Sequence, residues 1–263
     1  MAIFAITNQK GGVGKTTTAI NTSAALSAMR YQVLLVDLDP QCNATVGSGV
    51  VLDKNTSAIS EVLLGQAAIQ SVIQATNYGY HIVPSNHRLT AAEVSLVGRK
   101  DKEKQIKILL DKLRKIYHFI ILDCPPTLNI LTINALVAAD EVVIPVQCEY
   151  FALEGLAKLL KTIDALRQTL SVRVEIHGVL RTMYDGRNLL TRQVSERLLQ
   201  SFSDKVYQTV IPRNIRLAEA PSHGMPILAY DKRSQGAASY LAFAAEIIRK
   251  SQCLQQSASM LEE

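Results

Sequence analysis

Apolar residues along this chain fall into two kinds of run. Short, nearly uninterrupted runs such as Val33–Asp37 (VLLVD), Phe119–Asp123 (FIILD) and Val142–Val146 (VVIPV) alternate with longer stretches in which apolar positions recur every three or four residues. The short runs predict strands apolar on both faces, as a parallel sheet covered by helices on both sides requires. Ala2–Thr7, Tyr80–Pro84, Val174–Leu180 and Val206–Ile211 read as further strands, and helices are predicted over Lys15–Met29, Leu153–Leu170 and Arg187–Phe202. Strand and helix in alternation mean βαβ units, so the predicted class is α/β: a doubly wound, mostly parallel sheet flanked by helices. With no repeat, low-complexity tract or linker, one domain is expected over residues 1–250. The remainder, 251–263, reads as a polar tail expected to fray.

Composition narrows the class without naming a chemistry. Of 263 residues, 48% are hydrophobic and 19% charged, which is globular rather than disordered. With five Phe, nine Tyr and no Trp, the core must be mainly aliphatic. No run approaches the ~20 apolar residues of a membrane span. The N-terminus lacks the basic flank and cleavage site of a signal peptide, so a cytoplasmic protein is expected. Cys42, Cys124, Cys148 and Cys253 stand apart and read as free thiols. His118, opening a strand, reads as structural. The net charge of +5 is compatible with a polyanionic partner but does not establish one. Much of the excess sits in 99–115, with eight Lys/Arg against three Asp/Glu. Ile106, Leu109, Leu110, Leu113 and Ile116 recur there at helical spacing, so this reads as the solvated face of an amphipathic helix.

The chemistry begins between the first strand and the first helix, at Asn8–Thr18 (NQKGGVGKTTT). Gly11, Gly12 and Gly14 permit a tight turn whose backbone N–H groups, with those of the helix start, form an anion-binding nest. Lys15 is placed to reach β- and γ-phosphates, and the Thr16 hydroxyl to ligate Mg²⁺. The general phosphate-loop pattern would need glycine at position 9, where Gln9 stands, and an additional lysine, Lys10, sits beside the departure. Two more carboxylate positions follow strands. Asp37 and Asp39 stand in LLVDLDPQ, where one carboxylate can orient water and the other the metal's hydration shell. Asp123 ends FIILD as the strand that holds Mg²⁺ through water in phosphate-loop enzymes. Without an Asn-Lys-x-Asp base specifier, ATP is favoured over GTP.

These segments carry a resemblance. KGGVGKTT resembles the deviant phosphate loop of the ParA/MinD group of ATPases. VLLVDLDPQCNAT, FIILDCPPTLNILTINAL, VIPVQCEYFALEGL, TMYDGR and VIPRNIRLAEAPSHGMPI resemble its chromosomal ParA (Soj) branch, and the similarity runs from about Ala2 to Ile248. Cys42 departs from the branch, which usually has Gly after DPQ. The chain also resembles the short members, without the N-terminal helix-turn-helix of those that repress their own operon.

The resemblance implies a deviant P-loop fold, ATP and Mg²⁺ as cofactors, and an ATP-dependent homodimer that sandwiches the nucleotides. Lys10 would reach the partner's phosphates and Lys15 its own, while Asp39 positions the attacking water; these three are the catalytic candidates. Gly11, Gly12, Val13, Gly14, Lys15, Thr16 and Thr17 would hold the phosphates, Pro212 and Asn214 the adenine. Thr16 and Asp123, the latter through water, would serve Mg²⁺. Arg187 and Arg216 match positions implicated in non-specific DNA binding by the dimer. A ParB-type protein would stimulate hydrolysis, in a cytoplasmic, nucleoid-associated cycle that partitions a chromosome or plasmid. Two alternatives stay open: a MinD-like ATPase on a membrane, which the polar ending SQCLQQSASMLEE argues against, and a ParA-like ATPase that positions a protein cargo. An electron carrier of the nitrogenase-reductase kind would need cluster-bridging cysteine pairs.

Overall fold

The computed structural model describes the backbone of residues 1–53, 56–170 and 172–259, and side chains as far as Gln252. The Cys253 side chain and residues 260–263 lie outside this description, whereas the backbone of 251–259, expected from sequence to fray as a polar tail, continues the last helix to Ser259. Eight strands form one sheet: β1 (Ala2–Ile6), β2 (Val33–Asp37), β3 (Gln74–Ala75), β4 (His81–Val83), β5 (Phe119–Asp123), β6 (Glu141–Gln147), β7 (Glu175–Tyr184) and β8 (Val206–Pro212). Their order across the sheet is β3-β4-β2-β5-β1-β6-β7-β8. Every pairing is parallel except β3 with β4. The two-residue β3 carries no apolar run of its own, and its pairing to β4 is what makes it a strand.

The helices of the first half are α1 (Lys15–Ala28), α2 (Asn43–Gly47), α3 (Ile59–Leu64), α4 (Ile69–Val72), α5 (Leu89–Val97) and α6 (Gln105–Asp111). Those of the second half are α7 (Ile130–Ala138), α8 (Ala152–Leu170), α9 (Leu189–Phe202), α10 (Ile215–Glu219), α11 (Ile227–Tyr230) and α12 (Gln235–Ser259). The amphipathic helix expected over 99–115 is confined to α6, with turns on either side. Its apolar spacing still does its work: Ile106, Leu110 and Leu113 are buried, while Ile116 is exposed. His118 accepts a hydrogen bond from the Gln32 backbone N–H at 2.9 Å just before β5, a structural role.

The uninterrupted apolar strands are explained by the two cores they feed. Ile3 and Ala5 of β1, Leu34 and Val36 of β2, and Ile120 and Leu122 of β5 enter one core with α3 to α9. The alternate residues, Phe4 and Ile6, Val33 and Leu35, Phe119 and Ile121, enter the other with α1 and α12. Successive strand residues point to opposite faces, so only a strand apolar at every position satisfies both layers. At the outer edge, the Glu246 carboxylate on α12 accepts from the backbone N–H groups of Gln208 (2.7 Å) and Thr209 (2.9 Å), which closes part of the open edge of β8.

The parallel order puts the C-terminal ends of the seven parallel strands on one rim. The loops that follow β1, β2, β5, β6, β7 and β8 therefore meet there, and each carries a segment singled out above. Behind that rim, Gly178 of β7 faces the fully buried Tyr207 ring, and a Cβ at Gly178 would sit 2.7 Å from a Tyr207 ring carbon and 3.0 Å from the Lys205 carbonyl. Tyr207 is itself held edge-on against Phe243 of α12 at 4.7 Å between centroids. Gly178→Ala is therefore expected to cost about 1–3 kcal/mol of stability, read as a lower urea midpoint with an unchanged m-value.

Candidate nucleotide site

The loop between β1 and α1 is built from backbone conformations that side chains disfavour. Gly12 (φ 72°) and Gly14 (φ 86°) lie in the left-handed region, and Gly14 is the residue on which α1 begins. A Cβ at Gly14 would meet the Thr182 side chain only at ordinary contact distance, 3.9 Å, so the backbone conformation and not space calls for glycine there. Thr182, near the end of β7, donates its hydroxyl to the Val13 carbonyl at 2.8 Å and so pins the loop from the neighbouring strand end. The first turn of α1 carries no acidic residue and no side-chain cap. Its N–H groups, with the positive end of the helix dipole, are thus left facing the cleft, the arrangement that binds phosphate. Gly11, Gly12, Gly14, Lys15, Thr16 and Thr17 share one cleft of about 370 Å³ with Asp39. Val13 has its side chain buried in the loop's own packing.

Lys15 is 7% exposed, and its ammonium donates to the Lys10 carbonyl at 3.1 Å. Burial lowers its pKa, while Asp123, Cys124 and Asp39 pull the other way. A cation held in so dry a place is strongly drawn to phosphate charge.

Three carboxylates sit at the adjoining ends of β2 and β5 and do different work. Asp37 and Asp123 are register partners, both fully buried. Asp37 accepts from the Thr45 backbone N–H (2.8 Å), the Thr45 hydroxyl (2.7 Å) and the Asp39 N–H (3.1 Å). Burial nevertheless raises its pKa to about 6. Asp37 is thus the tie that fixes the loop on which Asp39 stands. The sequence pairs the two residues by spacing, yet Asp37 ends its strand and Asp39 lies beyond it, at the cleft, accepting from the Gln41 N–H at 2.9 Å. Asp123 is the opposite case. Neither of its carboxylate oxygens has a hydrogen-bond partner among the described residues. Burial, and then the charge of Asp37, pushes its pKa well up, with Thr16 and Lys15 opposing. An orphaned pair of buried oxygens beside the Thr16 hydroxyl is a hard-oxygen donor set of the kind that fits hydrated Mg²⁺.

A second cavity of about 420 Å³ shares Gly14, Thr17 and Met183 with the phosphate cleft. Its lining is mostly apolar and includes Ile211, Pro212, Asn214 and Tyr240. Asn214 caps α10 through its side-chain oxygen, which accepts from the Leu217 N–H at 3.2 Å, and so fixes the wall after β8. An apolar slot continuous with an anion cleft fits the base of a nucleotide.

A family model described as an AAA domain matches residues 1–176. The sporulation initiation inhibitor protein Soj of Bacillus subtilis (strain 168) is 50% identical over 246 residues, covering 93% of this chain and 97% of that protein. This chain belongs to the ParA/Soj family of ATPases. Chromosome partitioning protein ParA of Caulobacter vibrioides (strain NA1000 / CB15N) is 43% identical over 262 residues, 98% of each chain. Among solved structures, cobyrinic acid a,c-diamide synthase from Mycobacterium smegmatis, with bound ATP analog and magnesium, is similar with a TM-score of 0.84 and 35% identity over 96% of each chain. The cell division ATPase MinD of Pyrococcus furiosus gives 0.77 and 25%, covering 94% of this chain and 98% of that one.

Family membership sharpens one departure. Cys42, where ParA/Soj sequences usually carry glycine, lies at φ 59°, a left-handed conformation that explains why glycine suits the position. Its thiol is spent on the Pro40 carbonyl at 3.3 Å.

The remaining sequence candidates fall on the same rim. Lys10 stands at the mouth of the phosphate loop, with a half-exposed side chain bonded to Glu149. Arg187 follows β7 and Arg216 follows β8, two strands that pair at Tyr184 and Pro212. Sequence reasoning passed over Thr182, Met183, Tyr240 and Glu149. For Thr182 and Met183 a signal was present in the TMYDGR segment, and for Glu149 in VIPVQCEYFALEGL; Tyr240 carries none, because only the fold brings it to the site.

The orphaned carboxyl yields a signed expectation. Asp123→Asn replaces a buried carboxyl, whose charge is disfavoured by burial and by Asp37, with a neutral amide, so the metal-free protein should keep its stability or gain up to about 1–2 kcal/mol. The same change should remove the added stabilisation that Mg²⁺ gives the ATP complex. Thermal unfolding in EDTA, and with ATP with and without Mg²⁺, measures both; a lower melting temperature in EDTA would contradict the account.

Proposed function

We propose that this chain is a Mg²⁺-dependent ParA-type ATPase whose nucleotide cycle drives chromosome or plasmid partitioning. Two copies pair face to face around ATP, the pair binds DNA without sequence preference, and a ParB-type partner stimulates hydrolysis. The observation that carries this reading is the position of Lys10. Lys15 serves the phosphates from within, buried, whereas Lys10 stands with 40% of its side chain exposed at the mouth of the same loop. A cation at the outer lip of a phosphate cleft is placed to meet the γ-phosphate of a second copy, and adding it there stabilises charge that grows in the transition state. Asp39, at the cleft but not engaged with Lys15, is the group to orient the attacking water.

The rim around the cleft supports pairing. Tyr150 (75% exposed) and Phe151 (66%) follow β6, Leu189 (60%) follows β7 and Ile215 (75%) follows β8. Large apolar side chains exposed on the loops after three neighbouring strands are the kind of surface that another protein covers.

DNA binding is the part in which local chemistry tempers the reading. Arg187 is bound by Asp185 through two contacts of 2.9 Å, and Arg216 by Glu219 at 3.0 Å and by Asp231 at 3.7 Å. Backbone phosphates must displace these acids, so each arginine contributes less than an unpaired one would. Contacts to backbone phosphates carry no sequence information and weaken with salt, by less for each arginine already paired to an acid.

Two variants test the cycle. Asp39→Ala is expected to bind ATP, hydrolyse it at least ~100-fold more slowly, and accumulate the pair. A monomer by light scattering with ATP would contradict this. Arg216→Glu is expected to keep ATP-dependent pairing and lose ~10-fold or more in DNA affinity at low salt. Unchanged DNA retention would remove Arg216 from the contact surface.

A further inference from the structure

Lys10 does not wait at the cleft unengaged. Its ammonium donates to Glu149 Oε2 at 2.5 Å, with the two side chains 40% and 47% exposed. The backbone of Lys10 is fixed independently. Its N–H donates to Asn8 Oδ1 at 3.0 Å, and the Asn8 amide donates to the Pro145 carbonyl of β6 at 2.8 Å. The Lys10 carbonyl is taken by Lys15. Loop and strand are therefore tied together whatever the Lys10 side chain does, and only its side-chain torsions remain to choose a partner.

We propose that Glu149 is the positioning residue for Lys10. In a single copy it holds the ammonium on its own side of the cleft, and pairing of two copies requires that ion pair to open. The inference rests on the reading above that Lys10 serves the phosphates of the other copy. Glu149 stands just beyond the end of β6, immediately before Tyr150 and Phe151, whose rings meet edge-on at 4.9 Å. A second copy docking on those rings arrives beside the ion pair. The cation available to the carboxylate in the same cavity of about 240 Å³ is Arg213, which shares that lining with Asp185. Arg213 also lines the apolar pocket between Pro212 and Asn214, so one residue borders both cavities. A chain without nucleotide thus keeps its outer lysine occupied, and premature pairing is disfavoured. A half-exposed pair sets the size of the effect at about two- to fivefold.

Two measurements test this on the full chain. In the nucleotide-free protein, modification of Lys10 by an amine-reactive reagent, followed by mass spectrometry with the other lysines as internal controls, should run about two- to fivefold faster in Glu149→Gln than in the wild type at low salt. The difference should close as salt rises. Equal labelling in the two proteins overturns the proposal, and this readout does not depend on pairing. In an Asp39→Ala background with ATP, Glu149→Gln should lower the protein concentration at half-pairing by a similar factor in sedimentation. An unchanged or raised midpoint also overturns it. Lys10→Gln in that background separates the two ideas: if pairing survives without Lys10, the reading of Lys10 as the cross-site lysine fails, while the labelling comparison still decides whether Glu149 holds it.

Discussion

Two carboxylates, Asp37 and Asp123, stand side by side at the ends of adjacent parallel strands with no access to water, and the rest of the site is arranged around that constraint. Two buried negative charges so placed are unfavourable unless each finds compensation. The chain resolves them differently. Asp37 is surrounded by donors from Thr45 and Asp39, which turns its charge into the anchor of the loop that presents Asp39. Asp123 is left open: Lys15 and Thr16 favour its charge, but neither oxygen has a partner of good hydrogen-bond geometry among the described residues. One carboxylate organises the loop beside it, and the other keeps its oxygens unpartnered among the described residues.

The phosphate loop depends on the same economy. Its glycines hold left-handed conformations and Thr182 pins it from β7, so the N–H groups at the start of α1 face the cleft with no competing acid. The lysines of this loop then divide by depth. Lys15 is buried in its own cleft, whereas Lys10, at the lip, is half-exposed and engaged by Glu149. Burial, more than charge, separates their roles.

Much of this was legible in the sequence. Uninterrupted apolar runs gave the parallel strands, because a strand buried on both faces has no polar position to spare. NQKGGVGKTTT between a strand and a helix gave the phosphate loop, because only that context turns glycines into an anion nest. The short β3 was not legible, since two residues such as Gln74 and Ala75 carry no periodicity and become a strand through pairing alone. The helix read over 99–115 proved shorter, because apolar spacing marks which residues reach the core and not where turns interrupt the backbone.

The sequence by itself determined the fold class, the phosphate loop with its two lysines, and the carboxylates at the strand ends, since each is a local pattern with one economical physical reading. Tertiary structure alone decided how those groups differ. It made Asp37 a structural tie, left the Asp123 oxygens unpartnered among the described residues, placed an apolar pocket where the ends of β7 and β8 meet α1, and set Glu149 against Lys10 across 139 positions of chain. Spacing along a sequence cannot carry such distinctions. They depend on which neighbours exclude water from a charge and which satisfy it.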